Sequence, residues 1–300
     1  MEARRTRCPV CEAPPRQLAE QKDAWLCPRC GHSFVGALPT TEQLDELYAK
    51  YHYAAGPERV LPSFLDRLVV DVIESFSPHR ENGRILDVGF GDGGILRAAK
   101  NAGWDAHGVE FSRAAIIAGM ARGLGPLYEG DFRTIPLPGA PFDVVVMSEL
   151  IEHVTDPPSM LRRAAEVLRP GGLLYMTTPH GRGISARVLG GDWSVLCPPE
   201  HLQLFSIPSM RRALVAAGFS KPVVYTQGVL PHEIMAKVRR ALPARARAQQ
   251  AEARFDRVGK SHDLNGRLMG TRRGRALKHA ANTVLRLAQV GDSLRVRAIR

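Results

Sequence analysis

The segment that most constrains the fold is ILDVGFGDGG, at residues 85–94, where an apolar run ends in glycines. The short β-branched run predicts a buried parallel strand, and residues 95–101 resume a helical pattern. Gly89, Gly91 and Gly93 let the backbone turn tightly and approach a ligand, while the first amides of the following helix face it. Strand, glycine turn and helix predict the start of a nucleotide-binding βαβ unit, although plain packing produces the same pattern.

A second strand is predicted over residues 104–109, and it ends at Glu110. The carboxylate follows the glycines by about 20 residues, the spacing at which an acid accepts hydrogen bonds from ribose hydroxyls. The alternative is a solvated residue at a strand end. Because Glu110 stands just before Ser112, a helix N-cap candidate, we favour the ligand role. A ribose-bearing cofactor follows, either NAD or S-adenosylmethionine.

Three later segments distinguish between these cofactors. They read EGDF (129–132), PFDVVVMSELIEHVTDP (141–157) and VLRPGGLLYMTTP (167–179). They predict a third short strand, a fourth strand over 143–147 that enters a polar loop, and a helix end, tight turn and fifth strand. At these residues the chain resembles class I S-adenosylmethionine-dependent methyltransferases, especially the small-molecule branch that includes the ubiquinone-pathway O-methyltransferases. The resemblance runs from about residue 84 to 224 and implies an α/β fold with a Rossmann-like seven-stranded sheet.

The resemblance also implies a cofactor role for each matching residue. Asp87 and the glycine loop would hold the methionine moiety of S-adenosylmethionine, and Glu110 its ribose. The carboxylate of Asp131 and the backbone of Phe132 would contact the adenine edge. One residue departs from the family pattern, because Asp92 stands where many relatives have a small side chain.

The end of the fourth strand would lie beside the sulfonium, through Ser148 and Glu149. His153 follows in the same loop and matches a position that the family fills with histidine. It is a candidate catalytic residue, and the alternative is a structural histidine at a helix start.

The irregular segment 180–206, HGRGISARVLGGDWSVLCPPEHLQLFS, follows the fifth strand. Long irregular segments inside compact domains are usually functional, and open α/β sheets bind ligands beyond the carboxyl ends of their strands. The segment is similar to one that walls the acceptor site in the family. His201 is our leading candidate for the base that takes the acceptor's proton, and His180 is the second. For each, the alternative is a hydrogen-bonded loop histidine.

Four of the five cysteines form two CxxC pairs separated by 15 residues: Cys8, Cys11, Cys27 and Cys30. This spacing predicts a tetrahedral four-thiolate zinc site without an open coordination position, which is structural. The alternative is a redox dithiol. Cys197 is left over as a small apolar residue. We therefore predict a zinc ribbon over residues 1–36.

Residues 37–80 connect the ribbon to the core. Leu44, Leu47, Tyr48 and Tyr51 recur at helical spacing after Thr41, a plausible N-cap. The helix is either a linker packed on the core or a lid across the cofactor mouth, where tyrosine rings could stabilise a sulfonium.

Positive charge is concentrated near the C-terminus. Residues 237–300 contain 17 Lys and Arg against 4 Asp and Glu, whereas the remainder contains 24 against 26. Because residues 293–299 alternate with period two, we predict that they form the sheet's final strand, within segment 292–300. Residues 228–291 would be a basic helical insertion. It has either solvated faces or a surface for an anionic partner such as phospholipid, lipid-linked phosphate, acidic polysaccharide or RNA.

These patterns predict a methyltransferase core over residues 81–227. We expect a cytoplasmic enzyme, peripheral to the membrane, that methylates a hydroxyl of a sugar, glycan or lipid-linked small molecule. The chain contains no run of 18 apolar residues and no apolar segment typical of a signal peptide near its N-terminus. RNA methylation is the alternative reaction, although the loop SELIEH lacks the Asn-Pro-Pro-Tyr type of motif. A third hypothesis is a recruitment module that binds cofactor without turnover.

Overall fold

The computed structural model describes residues 4–40, 63–229 and 272–300, together with 42–44, 46, 233–235 and 237. The strands are β1 (Arg16–Ala19), β2 (Ala24–Leu26), β3 (Ser33–Val35), β4 (Arg84–Val88), β5 (Asp105–Glu110), β6 (Leu127–Glu129), β7 (Phe142–Ser148), β8 (Leu168–Pro179), β9 (Gln203–Leu204), β10 (Ser220–Gln227) and β11 (Ser293–Ile299). The helices are α1 (Ser63–Glu74), α2 (Gly94–Asn101), α3 (Arg113–Ala121), α4 (Pro157–Val167), α5 (Ile184–Leu189), α6 (Ile207–Ala216) and α7 (Arg272–Ala288).

Seven strands form the main sheet in the order β10-β11-β8-β7-β4-β5-β6. β11 runs antiparallel to both of its neighbours, β8 and β10, and the other paired strands are parallel. The Rossmann-like seven-stranded sheet is therefore confirmed. Leu294, Val296 and Ala298 are fully buried, so the alternating pattern in the last strand marks its core-facing side.

The fifth predicted strand differs in detail. The sequence predicts a tight turn between the helix end and this strand, but β8 begins at Leu168, directly after α4. The reason is pairing with the end of the chain. The Gly171 amide donates to the carbonyl oxygen of Arg300 at 3.1 Å. The Arg300 amide donates to the carbonyl oxygen of Gly172 at 3.0 Å.

The core lies on both faces of the sheet. On one face Val144 and Val146 pack with α1, α2 and α3, and on the other Val145 and Met147 pack with α4 and α6. A central parallel strand must be apolar on both faces, which explains the continuous apolar run in β7. Because β4, β5, β7 and β8 run parallel, their carboxyl ends lie along one edge of the sheet.

A second sheet joins the N-terminal ribbon to the irregular segment 180–206, in the order β1-β2-β3-β9. Ser33 pairs with Leu204 and Phe34 with Gln203. Trp193, which is 1% exposed, packs in a cluster with ribbon residue Ala24. The ribbon therefore lies against the segment predicted to wall the acceptor site.

The C-terminal region contains the helix α7, packed beside β10. Thr226 donates its hydroxyl to the carbonyl oxygen of Leu285 at 2.9 Å, and the guanidinium of Arg286 lies 4.5 Å from the Tyr225 ring centre. The amide of Asp292 donates to the carbonyl oxygen of Gly228 at 2.8 Å, so the two ends of the predicted insertion meet. Across the described ranges, no helix combines the length and apolar character needed to cross a membrane.

Parts of two predicted segments lie outside the described residues. In the predicted lid segment these include Thr41, Leu47, Tyr48 and Tyr51, and in the insertion they include residues 238–271. Residues 42–44 and 46 are helical, and the role of this helix as a lid stays a prediction.

Candidate functional site

The glycine loop connects β4 to α2 at the carboxyl edge of the sheet. Gly89, Gly91 and Gly93 have φ angles of 71°, 54° and 77°, in the left-handed region that side chains disfavour. A Cβ on Gly93 would lie 2.1 Å from Leu124 Cδ1, so a side chain there would displace Leu124 and also strain the backbone. Gly93 is buried, whereas Gly89 and Gly91 are partly exposed, so a ligand can approach the backbone at those two residues.

Glu110 reaches this loop from the end of β5. Its Oε2 accepts a hydrogen bond from the Gly91 amide at 3.2 Å, and its Oε1 accepts from the amides of Phe111 and Ser112 at 2.9 and 3.2 Å. A carboxylate offers about four acceptor positions, so one stays open for a hydroxyl beside the loop. The sequence predicts that Glu110 lies beside the glycine loop, and the structure places it there.

Asp87, the fourth residue of β4, is 2% exposed, and its Oδ2 has no hydrogen-bond partner among the described residues. Burial, followed by the nearby charges of Glu110 and Asp92, raises its pKa to about 8. A buried carboxyl without a partner is costly and is relieved by a cation. This unpaired oxygen fits the ammonium group of a methionine moiety. Asp92 itself accepts from the Gly94 amide at 3.1 Å at the start of α2.

Asp131 and Phe132 lie in the loop after β6. Arg133 Nε donates to both oxygens of Asp131 at 3.0 Å, and this pairing holds the Asp131 pKa below its usual range. The Phe132 ring is 3% exposed in the core, which fixes the backbone beside it. To accept from an adenine amino group, Asp131 would have to share its oxygens with Arg133.

Ser148 and Glu149 stand where β7 ends beside β8. The hydroxyls of Ser148 and Thr177 lie 3.0 Å apart, and the Glu149 amide donates to the carbonyl oxygen of Thr177 at 2.9 Å. Glu149 has a φ of 49°, a conformation that costs a non-glycine residue energy and is concentrated at functional sites.

His153 and His201 meet although 48 positions separate them in the chain. Their ring centres lie 4.7 Å apart. His153 Nδ1 lies 2.9 Å from the carbonyl oxygen of Glu200, and His201 Nδ1 lies 2.6 Å from that of Val195. Because a carbonyl only accepts, each Nδ1 carries the proton, and in the neutral ring Nε2 keeps its lone pair. Burial, then the neighbouring His201, lowers the pKa of His153 to about 4. The neutral His153 ring is therefore an acceptor at pH 7.

Glu152 is a residue of this site that the sequence analysis did not single out. It is 1% exposed, accepts from the Thr178 hydroxyl at 2.9 Å, and has an Oε1 without a hydrogen-bond partner among the described residues. Burial, then the carboxylate of Glu149, raises its pKa well above the usual range. Three side chains each place one potential ligand atom within 4.8 Å of the other two: Glu152, His153 and His201. These three side chains could also hold a cation. The only sequence signal was its position three residues after Glu149.

His180 occupies a different position. Its ring is 2% exposed, and its Nδ1 lies 2.8 Å from the carbonyl oxygen of Gly291. Its amide donates to the carbonyl oxygen of Asp292, and its backbone bridges to Phe205. Burial lowers its pKa to about 4. These contacts join the ends of three segments, so the geometry favours His201 and His153 over His180 as the base.

The four ribbon thiols form one buried cluster. The Sγ atoms of Cys8 and Cys30 lie 3.6 Å apart, those of Cys11 and Cys27 3.4 Å, and those of Cys11 and Cys30 3.5 Å. Ligands at about 2.3 Å from a tetrahedral zinc ion lie about 3.8 Å from one another, close to this arrangement. The residues therefore fit a zinc ion.

Comparison with known proteins supports the same family. Residues 61–222 match a family described as a methyltransferase domain. The ubiquinone biosynthesis O-methyltransferase of Ralstonia nicotianae is 32% identical over 57% of this chain and 72% of that enzyme. The Bordetella avium enzyme of the same name is 28% identical over 38% of this chain, and the matched region spans only half (50%) of that enzyme's length.

Solved structures share the fold at low identity. Phosphoethanolamine N-methyltransferase 2 of Haemonchus contortus has a TM-score of 0.52 at 17% identity, covering 87% of this chain and 58% of its own. The [4+2]-cyclase SpnF has a TM-score of 0.51 at 19% identity, covering 88% and 97%. The fold therefore does not determine the reaction by itself. The family match covers more than half of the chain. The chain belongs to the class I S-adenosylmethionine-dependent methyltransferases.

Proposed function

We propose that this protein transfers a methyl group from S-adenosylmethionine to a hydroxyl of a small acceptor. The observation that carries the proposal is the unpaired buried carboxyl oxygen of Asp87 beside the glycine loop and Glu110. Asp87 would pair with the ammonium group and Glu110 would accept from the ribose. Ser148 and Glu149 would border the sulfonium, and Asp131 with the Phe132 backbone would border the adenine.

When bound, S-adenosylmethionine supplies an electrophilic methyl group, so the protein mainly has to align the acceptor and receive its proton. We assign the proton to Nε2 of His201 or His153, because both rings use Nδ1 as a donor to a backbone carbonyl. His180 is the weaker candidate, since its ring is buried against Gly291.

The acceptor class rests on the relatives, which are named as O-methyltransferases. A hydroxyl of a sugar, glycan or lipid-linked molecule is our proposal for this chain. RNA methylation and cofactor binding without turnover are the competing hypotheses. Calorimetry with S-adenosylmethionine, followed by methyl-label transfer to hydroxyl acceptors and to RNA, separates the three. Cofactor binding without transfer to any acceptor would favour the recruitment module.

The ribbon cysteines would hold a structural zinc ion. Cys8, Cys11, Cys27 and Cys30 are all buried, and four thiolates complete a tetrahedral shell without an open position. Metal analysis of protein purified under reducing conditions should find one zinc per chain.

We also propose that α7 contacts an anionic membrane surface, with the protein on the cytoplasmic side. Its sequence RRGRALKHAANTVLRLA has five basic residues and no acidic one. Lys278, Asn282 and Leu285 are partly buried, whereas Leu277, Val284 and Leu287 are 65%, 64% and 79% exposed. The apolar side thus faces outward, which suits a helix lying in a lipid interface.

Vesicle flotation tests this surface. Wild-type protein should float with vesicles that contain phosphatidylglycerol, in a salt-sensitive way, and not with neutral phosphatidylcholine vesicles. Leu277→Ser with Leu287→Ser should abolish flotation, while Val215→Ser, at an apolar residue of α6 that is 61% exposed, should not. Equal flotation of both variants would contradict the proposal.

A further inference from the structure

Arg295 stands in the sheet one strand beyond the proposed methyl-transfer site. It is in register with Thr177 of β8 on one side and with Tyr225 of β10 on the other. Thr177 in turn pairs with Ser148 of β7. Neighbouring strands lie ~4.8 Å apart, so the Arg295 backbone is about 10 Å from that of Ser148. This is the scale of a ring with its substituents.

The guanidinium of Arg295 has an N–H donor that lacks a hydrogen-bond acceptor among the described residues. Its Nη1 donates to the Tyr175 hydroxyl at 2.8 Å, while its Nε is buried and has no hydrogen-bond partner among the described residues. A guanidinium carries five N–H donors, and a buried donor without a partner is costly. A ligand with acceptor oxygens would relieve this cost.

Arg297, on the same face two residues later, shows how a structural arginine differs. Its Nη1 donates to the Ser75 hydroxyl at 3.0 Å and its Nη2 to the Ser75 carbonyl oxygen at 3.1 Å. Its guanidinium also lies 5.8 Å from the Phe76 ring centre. Arg297 therefore ties β11 to the end of α1, a role for which Arg295 has no equivalent contact in the described ranges.

A second cation lies close to Arg295. Lys278 of α7 is partly buried, and its pKa is lowered first by burial and then by the positive charge of Arg295. Neither side chain forms an ion pair with a carboxylate in the part of the chain that the structure describes. The charge of Arg295 also acts on the carboxylate of Glu149, which does not form an ion pair with it among the described residues. Two neighbouring cations that no carboxylate pairs with attract an anion.

We propose that Arg295, with Lys278 and the Tyr175 hydroxyl, binds an acid group on the methyl acceptor. This inference rests on the proposed function and names its substrate class, a hydroxyl compound that also carries a phosphate or a carboxylate. The hydroxyl would lie near Ser148 and the histidine pair, and the acid group about two strand spacings away. Arginine binds either acid in a bidentate manner, so both sources share one chemistry.

The binding test uses the full chain and two probes, inorganic phosphate and acetate. The Nε–Hε resonance of Arg295, assigned by its loss in Arg295→Lys, should shift on titration with one or both anions. Phosphate alone would indicate a phosphorylated acceptor, and acetate would indicate a carboxylate. Arg295→Gln should abolish the response seen at neighbouring Tyr175, whereas Arg297→Gln should keep it. No shift with either anion, or equal loss in both glutamine variants, would overturn the proposal.

The kinetic test compares acceptors that differ only in the acid group. Wild-type protein should methylate the acidic member with a KM lower by about tenfold or more, the effect of a lost charged hydrogen bond. Arg295→Gln should erase this preference in KM while kcat and S-adenosylmethionine binding stay unchanged. Arg295→Lys should keep part of it. Transfer without preference for the acidic member refutes the subsite and leaves the methyltransferase assignment intact. Anion binding without methyl transfer to any acceptor would refute the proposed methyl-transfer function.

Discussion

Ser206, the N-cap residue of α6, donates its hydroxyl to the backbone carbonyl oxygen of Cys30. The same stretch of chain pairs with the ribbon through Gln203 and Phe34. His201 lies two residues before that pairing. The cysteine cluster is thus connected through this hydrogen bond and the β3–β9 pairing to the wall of the proposed acceptor site.

Removal of the metal should therefore impair methyl transfer more than cofactor binding. We expect a chelator under reducing conditions to disorder the ribbon, raise the acceptor KM and leave the S-adenosylmethionine Kd unchanged, because the glycine loop follows β4 in the main sheet whereas the ribbon strands belong to the second sheet. Calorimetry and methyl-label assays measure the two effects. Cys197→Ser, outside the cluster, is the control. Full activity in protein shown to be metal-free would contradict the prediction.

Asp87→Asn should weaken S-adenosylmethionine binding and stabilise the cofactor-free protein at pH 8. The folded pKa of about 8 lies above the ordinary value near 3.9, so the native state loses stability as pH rises through this interval and the carboxyl must ionise while buried. The uncharged amide avoids that cost but cannot pair with an ammonium group. Thermal melts at pH 5 and pH 8, with calorimetry, test both effects.

The raised pKa of Asp87 also predicts that cofactor binding releases a proton. If the ionised carboxylate binds the cofactor, binding at pH 7 should release close to one proton from Asp87, measurable by calorimetry in buffers of different ionisation enthalpy. Asp92→Asn, beside it in the loop, should retain most of this release. Binding without proton release at pH 7 would show that Asp87 is not the partner of the ammonium group.

Glu110→Ala should weaken cofactor binding by about 1.5–3 kcal/mol, the contribution of a hydrogen bond to a charged group. Gly91→Val should do the same by another route, because a φ of 54° disfavours a β-branched residue and its side chain obstructs the loop. Glu129→Ala is the matched control, since Glu129 pairs with Glu110 in the sheet but is exposed. Wild-type affinity in both site variants would refute the assigned cofactor site.

His201→Gln should lower kcat by about 10²–10⁴-fold, the range of general base catalysis, without changing cofactor affinity. If His153 is the base instead, His153→Gln should cause the larger loss of kcat.

A His153 base with a pKa of about 4 is neutral from pH 6 to 8, so its contribution to kcat should not change with pH across that range. His180→Gln should instead lower the melting temperature and spare kcat, because its contacts are structural.

The sequence predicted those parts of the fold that have a local pattern. β7 is an unbroken apolar run, the glycine loop follows β4 directly, and β11 alternates with period two. The pairing of β9 with β3 could not be predicted, because Gln203 and Leu204 form a two-residue strand whose partner is distant in the chain. Glu152 was missed for a similar reason. Its burial and its approach to His201 depend on tertiary packing, which no spacing in the sequence reports.

The hydrogen bond from the Asp292 amide to the Gly228 carbonyl oxygen makes β10 and β11 an ordinary hairpin whose connection has been greatly enlarged. The free energy of closing such a loop grows only slowly with its length. We therefore expect this junction to be a permissive insertion point, where chain can be lengthened, shortened or exchanged at little cost to the sheet. Attachment to a surface could then be acquired or altered in this segment independently of the residues that bind the cofactor.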